Sequence, residues 1–198
     1  MIAWAIGHAR EAGIFDRVIV STDDDEIAAA AEAAGAEVPF RRPANLADGT
    51  TATAPVIAHA ITQLGLTIDD SSPVCCIYPA TPLLEANDLR RVMAAWHERP
   101  ERFALTGYAP ALPITRAFTL DDEGAATFLL PEFAQTRTQD LPRALLDVGW
   151  CYVGSTRAWT DVTSIIAGAS VIEIPVERAV DIDSEDDWQR ALDVVLSR

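Results

Sequence analysis

Pro73-Val-Cys-Cys-Ile-Tyr78 is an apolar run that ends in a Pro79-Ala-Thr-Pro82 turn. A strand without polar alternation suits a parallel sheet covered on both faces. Helices flank it. Upstream, Thr53 to Leu64 reads as helical. Downstream, Ala86 to His97 sets Leu89, Val92, Met93 and Trp96 at helical spacing.

The same rhythm extends toward the start. Ile2 to Ala12 reads as a helix with Ile2, Ala5, Ile6 and Ala9 on one face, ended by Gly13. Arg17-Val-Ile-Val-Ser21 reads as a short buried strand. Thr22-Asp-Asp-Asp25 then puts acids where a helix macrodipole favours them, before a helix from Glu26 to Ala34 that stops at Gly35. Glu37-Val-Pro39 is a short extended piece, and residues 41–50 form a loop. Beyond residue 100 the rhythm changes to short strands: Phe103–Thr106, Ile114–Leu120, Ala125–Leu130, Gly149–Val153 and Val171–Pro175. Ser184-x-x-Asp187 marks the start of a last helix that runs from Trp188 to Leu196. Alternation of helix and strand predicts a single α/β domain with a doubly wound, Rossmann-like sheet, parallel or mixed. In such sheets ligands bind beyond the C-terminal strand ends. That places Ser21–Asp24, Tyr78–Pro82 and the loop after residues 171–175 at the binding edge.

Composition narrows the partners. The 198 residues carry a net charge of −15, and all 15 basic residues are arginine. An acidic chain without lysine argues against nucleic acid, whose phosphates need a basic patch. A nucleotide triphosphate would need divalent cations to offset the same charge. No apolar run approaches the roughly 18 residues of a membrane span. With no signal segment at the start, the expectation is a cytoplasmic protein. Cys75, Cys76 and Cys151 form no disulfide framework or metal motif, and the adjacent pair reads as buried strand residues.

Few local motifs carry chemistry on their own. Asp181-Ile-Asp183 sets two carboxylates about 6.6 Å apart on one side of an extended backbone. That spacing suits a shared magnesium ion, which takes one or two carboxylates plus substrate phosphate oxygens. It also suits an acidic turn before the last helix. Arg41-Arg42 could bind phosphate or a base edge, or lie in a surface ion pair. Ser21-Thr-Asp-Asp24 could bind a ribose or cap a helix. Arg137 could meet a substrate carboxylate or an ordinary ion-pair partner. His8, His59 and His97 each fall in a predicted helix and are read as structural.

The order of the motifs says more. Val18–Ile27, then Gly35-Ala-Glu-Val-Pro-Phe-Arg-Arg-Pro43, then Leu46-Ala-Asp48 with Thr50 and Thr53, resembles the CMP-sialic acid synthetase (acylneuraminate cytidylyltransferase) family, which activates nonulosonic acids. Val74–Tyr78 with Pro82, Arg137-Thr-Gln-Asp-Leu-Pro142 and Asp147-x-Gly149-x-x-Tyr152-x-Gly154 resemble the branch acting on pseudaminic acid. Asp181-Ile-Asp183-x-Glu185-Asp186-x-Trp188 is similar to the family's metal-binding end. The resemblance implies a nucleotidyltransferase that moves CMP from CTP to a nine-carbon sugar acid, releasing pyrophosphate. It implies catalytic Mg2+ on Asp181 and Asp183, and cytidine contacts from Arg42 and Thr53. It puts Thr22, Asp23 and Tyr78 near substrate, and Arg137, Gln139 and Asp147 toward the sugar acid or a partner subunit. It also implies a homodimer joined by an arm at about residues 105–150. A sialic acid or 3-deoxy-octulosonate enzyme, or a non-catalytic dimerising remnant, remain alternatives.

One departure goes with this. The family opens with a strand and a Gly-rich loop containing lysine, whereas Met1–Ile6 resembles the helix that follows that loop. The expectation is therefore a chain truncated before its phosphate-gripping segment, with weak or absent turnover and lowered solubility.

Overall fold

A computed structural model describes residues 1–69, 71–182 and 184–197. Six helices are described: α1 (Ile2–Ala12), α2 (Asp25–Ala33), α3 (Thr53–Gln63), α4 (Ala86–Glu98), the short α5 (Thr156–Thr160) and α6 (Glu185–Leu196). The main sheet contains β1 (Pro73–Ile77), β2 (Ala104–Tyr108), β5 (Leu146–Ser155) and β6 (Ser170–Glu173) in the order β1-β5-β2-β6. A separate hairpin joins β3 (Phe118–Leu120) to β4 (Ala126–Phe128).

Local chemistry sets most helix bounds. Gly13 ends α1 in a left-handed conformation that a glycine adopts without steric penalty. Asp24 caps α2, accepting from the Glu26 and Ile27 amides at 2.8 Å each. Reciprocal capping boxes, Glu85 with Asp88 and Ser184 with Asp187, start α4 and α6.

The sheet has two apolar faces. On one, Ala9 and Ala12 of α1, Leu89, Val92, Met93 and Trp96 of α4, and Ala191 of α6 pack against Ala104, Trp150, Cys151 and Val153, with Cys75 and Ile77 partly buried beside them. On the other, Ile61 of α3 and Trp159 of α5 meet Cys76, Phe103, Leu105 and Tyr152, with Val74 and Tyr78 at the margin. β1 is therefore apolar throughout because each face meets helices, with Val74 and Cys76 directed one way and Cys75 and Ile77 the other. A third cluster, Ile6, Ala31 and Ala36, closes α1 and α2 over Val18, Val20 and Val38.

The sheet is mixed. β5 runs antiparallel to both β1 and β2, and β2 pairs with β6 in parallel. Double-sided burial made β1 read as a parallel strand, but burial does not encode the direction of the neighbour. The run Arg17–Ser21 is not a ladder strand. It makes one parallel bridge, Ile19 to Glu37, with Val20 N donating to Glu37 O at 2.9 Å and Glu37 N to Val18 O at 2.8 Å. The expected strand Ile114–Leu120 splits, because the Arg116 amide turns back to the Pro113 carbonyl and only Phe118–Leu120 stays extended. No helix among the described residues is long and apolar enough to cross a membrane.

The two ends of the domain are tied by a buried ion pair. Asp88, at the start of α4, is 1% exposed. Arg178 donates to its two oxygens at 2.7 and 3.0 Å and to the Leu83 carbonyl at 3.1 Å. The Asp88 hydrogen bonds hold the guanidinium pKa above its ordinary value. Asp88→Ala would leave Arg178 only the half-exposed Glu85 carboxylate at 3.4 Å and would break the α4 capping box, and is expected to lower unfolding stability by about 3 kcal/mol in urea melts. A loss below about 1 kcal/mol would mean that Arg178 finds solvent instead.

Candidate active site

β1, β2 and β6 run the same way, so their C-terminal ends share one rim of the sheet, and the reversed β5 begins there. Tyr78 follows β1, Asp147 opens β5, and Asp181 lies on the chain leaving β6. The Tyr78 amide donates to the Trp150 carbonyl at 2.9 Å, and Trp150 Nε1 donates to the Val180 carbonyl at 3.3 Å. These bonds fix the three segments side by side.

Gly149 sharpens the arrangement. Its φ is +72°, and a Cβ there would sit 3.4 Å from Asp181 Oδ2. The positive φ is what calls for glycine here, and the Asp181 carboxylate lies at ordinary contact distance from that position. The pairing of β2 with β5 shifts at this place: Leu105 faces Tyr152, yet Gly107 faces Asp147. Residues five apart on a regular strand point to opposite faces, about 17 Å apart. Across this bulge Tyr152 Oη instead donates to Asp147 Oδ2 at 2.6 Å, while the Gly149 amide donates to Asp147 Oδ1 at 3.0 Å. Burial and the Asp147 carboxylate push the Tyr152 phenol well above its ordinary range, so it stays protonated.

Toward the other side, the Tyr78 ring meets Tyr152 edge-on, with centroids 5.7 Å apart. The Tyr78 hydroxyl forms a short hydrogen bond with Thr53 Oγ1 at the start of α3. The loop before α3 is held by Asp48, whose Oδ1 accepts from the amides and hydroxyls of Thr50 and Thr51 at 2.7–3.0 Å. Those bonds lower the Asp48 pKa to about 2. Thr53, Tyr78, Asp147 and Asp181 therefore form one continuous edge.

Arg42 belongs to a second group. Its amide donates to the Thr22 carbonyl at 2.9 Å, its Nη2 lies 3.6 Å from Asp23 Oδ1, and its buried Nε has no hydrogen-bond partner among the described residues. Thr22 is 2% exposed and accepts from the Asp24 amide at 3.1 Å, so its hydroxyl shapes the turn. Asp24, which was read as either a ribose contact or a cap, caps α2. Arg41 pairs with Asp25 at 2.9 Å. Arg137 donates to Asp140 at 2.6 Å, and Gln139 is exposed in the same turn. Asp183 lies outside the described residues. His8 approaches Glu11, while His59 and His97 pack against Phe40 and Trp96. Burial pushes all three thiols up, Cys76 and Cys151 to about 12.

The ordered motifs have counterparts in known proteins. The family model described as "Cytidylyltransferase" matches residues 1–123. A pseudaminic acid cytidylyltransferase of Campylobacter jejuni is 32% identical over 192 residues, 96% of this chain and 83% of that protein. The chain belongs to the cytidylyltransferase family. Two solved structures share the fold of this cytidylyltransferase. One is a CMP:2-keto-3-deoxy-manno-octonic acid synthetase complexed with CTP, with a TM-score of 0.60 at 15% identity, covering 97% of this chain and 88% of the other. The second is a 4-diphosphocytidyl-2C-methyl-D-erythritol synthase from Anaerococcus prevotii, with a TM-score of 0.63 at 11% identity, covering 100% and 89%.

Sequence reading singled out Asp147 but not the work of Tyr152 or Gly149. A glycine inside an otherwise apolar strand was the available signal, since it marks a bulge or a close approach. Gly149→Ala is expected to destabilise the cytidylyltransferase by about 1–2 kcal/mol through its left-handed backbone alone. An unchanged denaturation midpoint would show that the bulge relaxes without strain.

Proposed function

We propose that this cytidylyltransferase transfers CMP from CTP to pseudaminic acid and releases pyrophosphate. The similarity to the Campylobacter jejuni enzyme along nearly the whole chain is the observation that carries this reading, because it includes the rim residues of β5. In the reaction, the anomeric oxygen of the sugar acid forms a bond to the α-phosphorus. The bond from that phosphorus to the bridging oxygen breaks, pyrophosphate leaves, and the hydroxyl proton passes to solvent. Catalysis rests on positioning and charge neutralisation.

Arg42 and Thr53 hold the cytidine end. Tyr78, tied to Thr53, marks the boundary between nucleotide and sugar. Asp147 faces the sugar acid, with Arg137 and Gln139 on the adjoining arm. Asp181 and Asp183 would hold a magnesium ion. The place of Asp181 at the same rim as Gly149 and Asp147 puts a carboxylate where triphosphate charge would need offsetting. When bound, the ion neutralises phosphate charge. Three free cysteines fit a reducing cytoplasm.

The assembly we propose is a homodimer joined through the hairpin. Every residue of β3 and β4 is exposed, including Phe118 at 57% and Leu120 at 64%, and Leu129 at 58% follows directly. Exposed apolar side chains along the length of a ribbon suit a second copy of the same ribbon.

Pyrophosphate release with CTP, magnesium and pseudaminic acid tests the chemistry. Asp181→Asn is expected to lower kcat by roughly 10²-fold or more. Higher kcat/KM on sialic acid or 3-deoxy-octulosonate would overturn the choice of sugar. Leu120→Asp is expected to convert a dimer to a monomer by light scattering. A monomeric parent, or a dimer that survives the substitution, would remove the hairpin from the interface.

A further inference from the structure

The Asp147 carboxylate is exposed, but its orientation is fixed from behind. The Gly149 amide donates to one oxygen, and Tyr152 Oη donates to the other. Tyr152 is 6% exposed and packs in the cluster that includes Phe103, Leu105 and Trp159, so it does not reach substrate itself. With the phenol held in its protonated form, it acts toward Asp147 only as a donor. Two fixed donors leave each oxygen of this exposed carboxylate a further lone pair for a ligand at the rim, where Asp181 also approaches through Gly149. A carboxylate so presented recognises hydroxyl or amide N–H groups, because each of its free lone pairs can accept one.

We propose that Tyr152 is a positioning residue for the sugar-acid acceptor, acting through Asp147. This rests on the acceptor reading given above. The same phenol ring sits edge-on to Tyr78, which is bonded to Thr53, so the support for the acceptor end adjoins the nucleotide end without belonging to it. A phenylalanine at position 152 keeps the ring and its packing and removes only the donor. The carboxylate could then rotate about χ2, and its free lone pairs would no longer be aimed.

Steady-state kinetics of Tyr152→Phe, Asp147→Ala and the double variant test the proposal in the full chain. Tyr152→Phe is expected to raise KM for pseudaminic acid about tenfold, with KM for CTP changed by less than about twofold. The double variant is expected to be no worse than Asp147→Ala alone, since the tyrosine acts only through that carboxylate. Asp147→Asn, which keeps the shape but has one acceptor oxygen and so can accept from Tyr152 or the Gly149 amide but not both, is expected to fall between wild type and Asp147→Ala. An unchanged KM for the sugar acid overturns the proposal. So does an equal rise in both KM values, or a double variant whose losses multiply, because each marks a general structural role. A wild type that turns over CTP with other sugar acids but not this one overturns the choice of substrate and leaves the Tyr152 test to be read on the acid that reacts. A wild type that turns over none overturns both.

Discussion

Arg178 joins parts of the chain that share no local sequence. Its guanidinium reaches the Asp88 carboxylate and the Leu83 carbonyl at the head of α4, and lies 5.8 Å from the centroid of the Trp150 ring in β5. Three residues later comes Asp181, pressed against Gly149. The place of that acid is thus set by a buried pair made by residues 90 positions apart. Low exposure at Asp88 makes the pair costly to break from one side and gives the chain leaving β6 a single docking position.

From that anchor the site is built by β5. A strand running against its neighbours begins where theirs end, so its first residues join the same rim as the turns that leave β1 and β6. The bulge at Gly149 then gathers side chains that a straight strand would scatter. Asp147, Tyr152 and, through Trp150 and Val180, the segment carrying Asp181 are all consequences of how this one strand bends.

Much of this was legible in the sequence, for identifiable reasons. The bounds of α1 and α4 follow from a glycine stop and from Leu89, Val92, Met93 and Trp96 at helical spacing. Ser184-x-x-Asp187 marks α6 because capping is local chemistry. The order of motifs pointed to a cytidylyltransferase before any geometry was known. What was not legible is non-local. Arg17–Ser21 has the composition of a strand, but pairing is a property of neighbours, and it makes only the Ile19 bridge. The reversal of β5 leaves no trace in β1, whose residues record only that both faces are covered. The Ser21–Asp24 turn is open to a ribose contact or a cap when read alone, and only the fold shows Thr22 buried with its hydroxyl accepting from the Asp24 amide. The Asp88–Arg178 pair joins two segments that look like ordinary surface charge when read separately.

The three cysteines carry a consequence of a different kind. All are free, and burial pushes the Cys76 and Cys151 thiols up to about 12. A thiol pushed that far up stays protonated at neutral pH, and the thiolate is the reactive form. The sheet therefore carries sulfur as a packing material with almost no nucleophilicity. Alkylating reagents and mild oxidants would reach the buried Cys76 and Cys151 chiefly through unfolded molecules, so the rate of labelling at those two thiols would serve as a clock for how often the sheet opens.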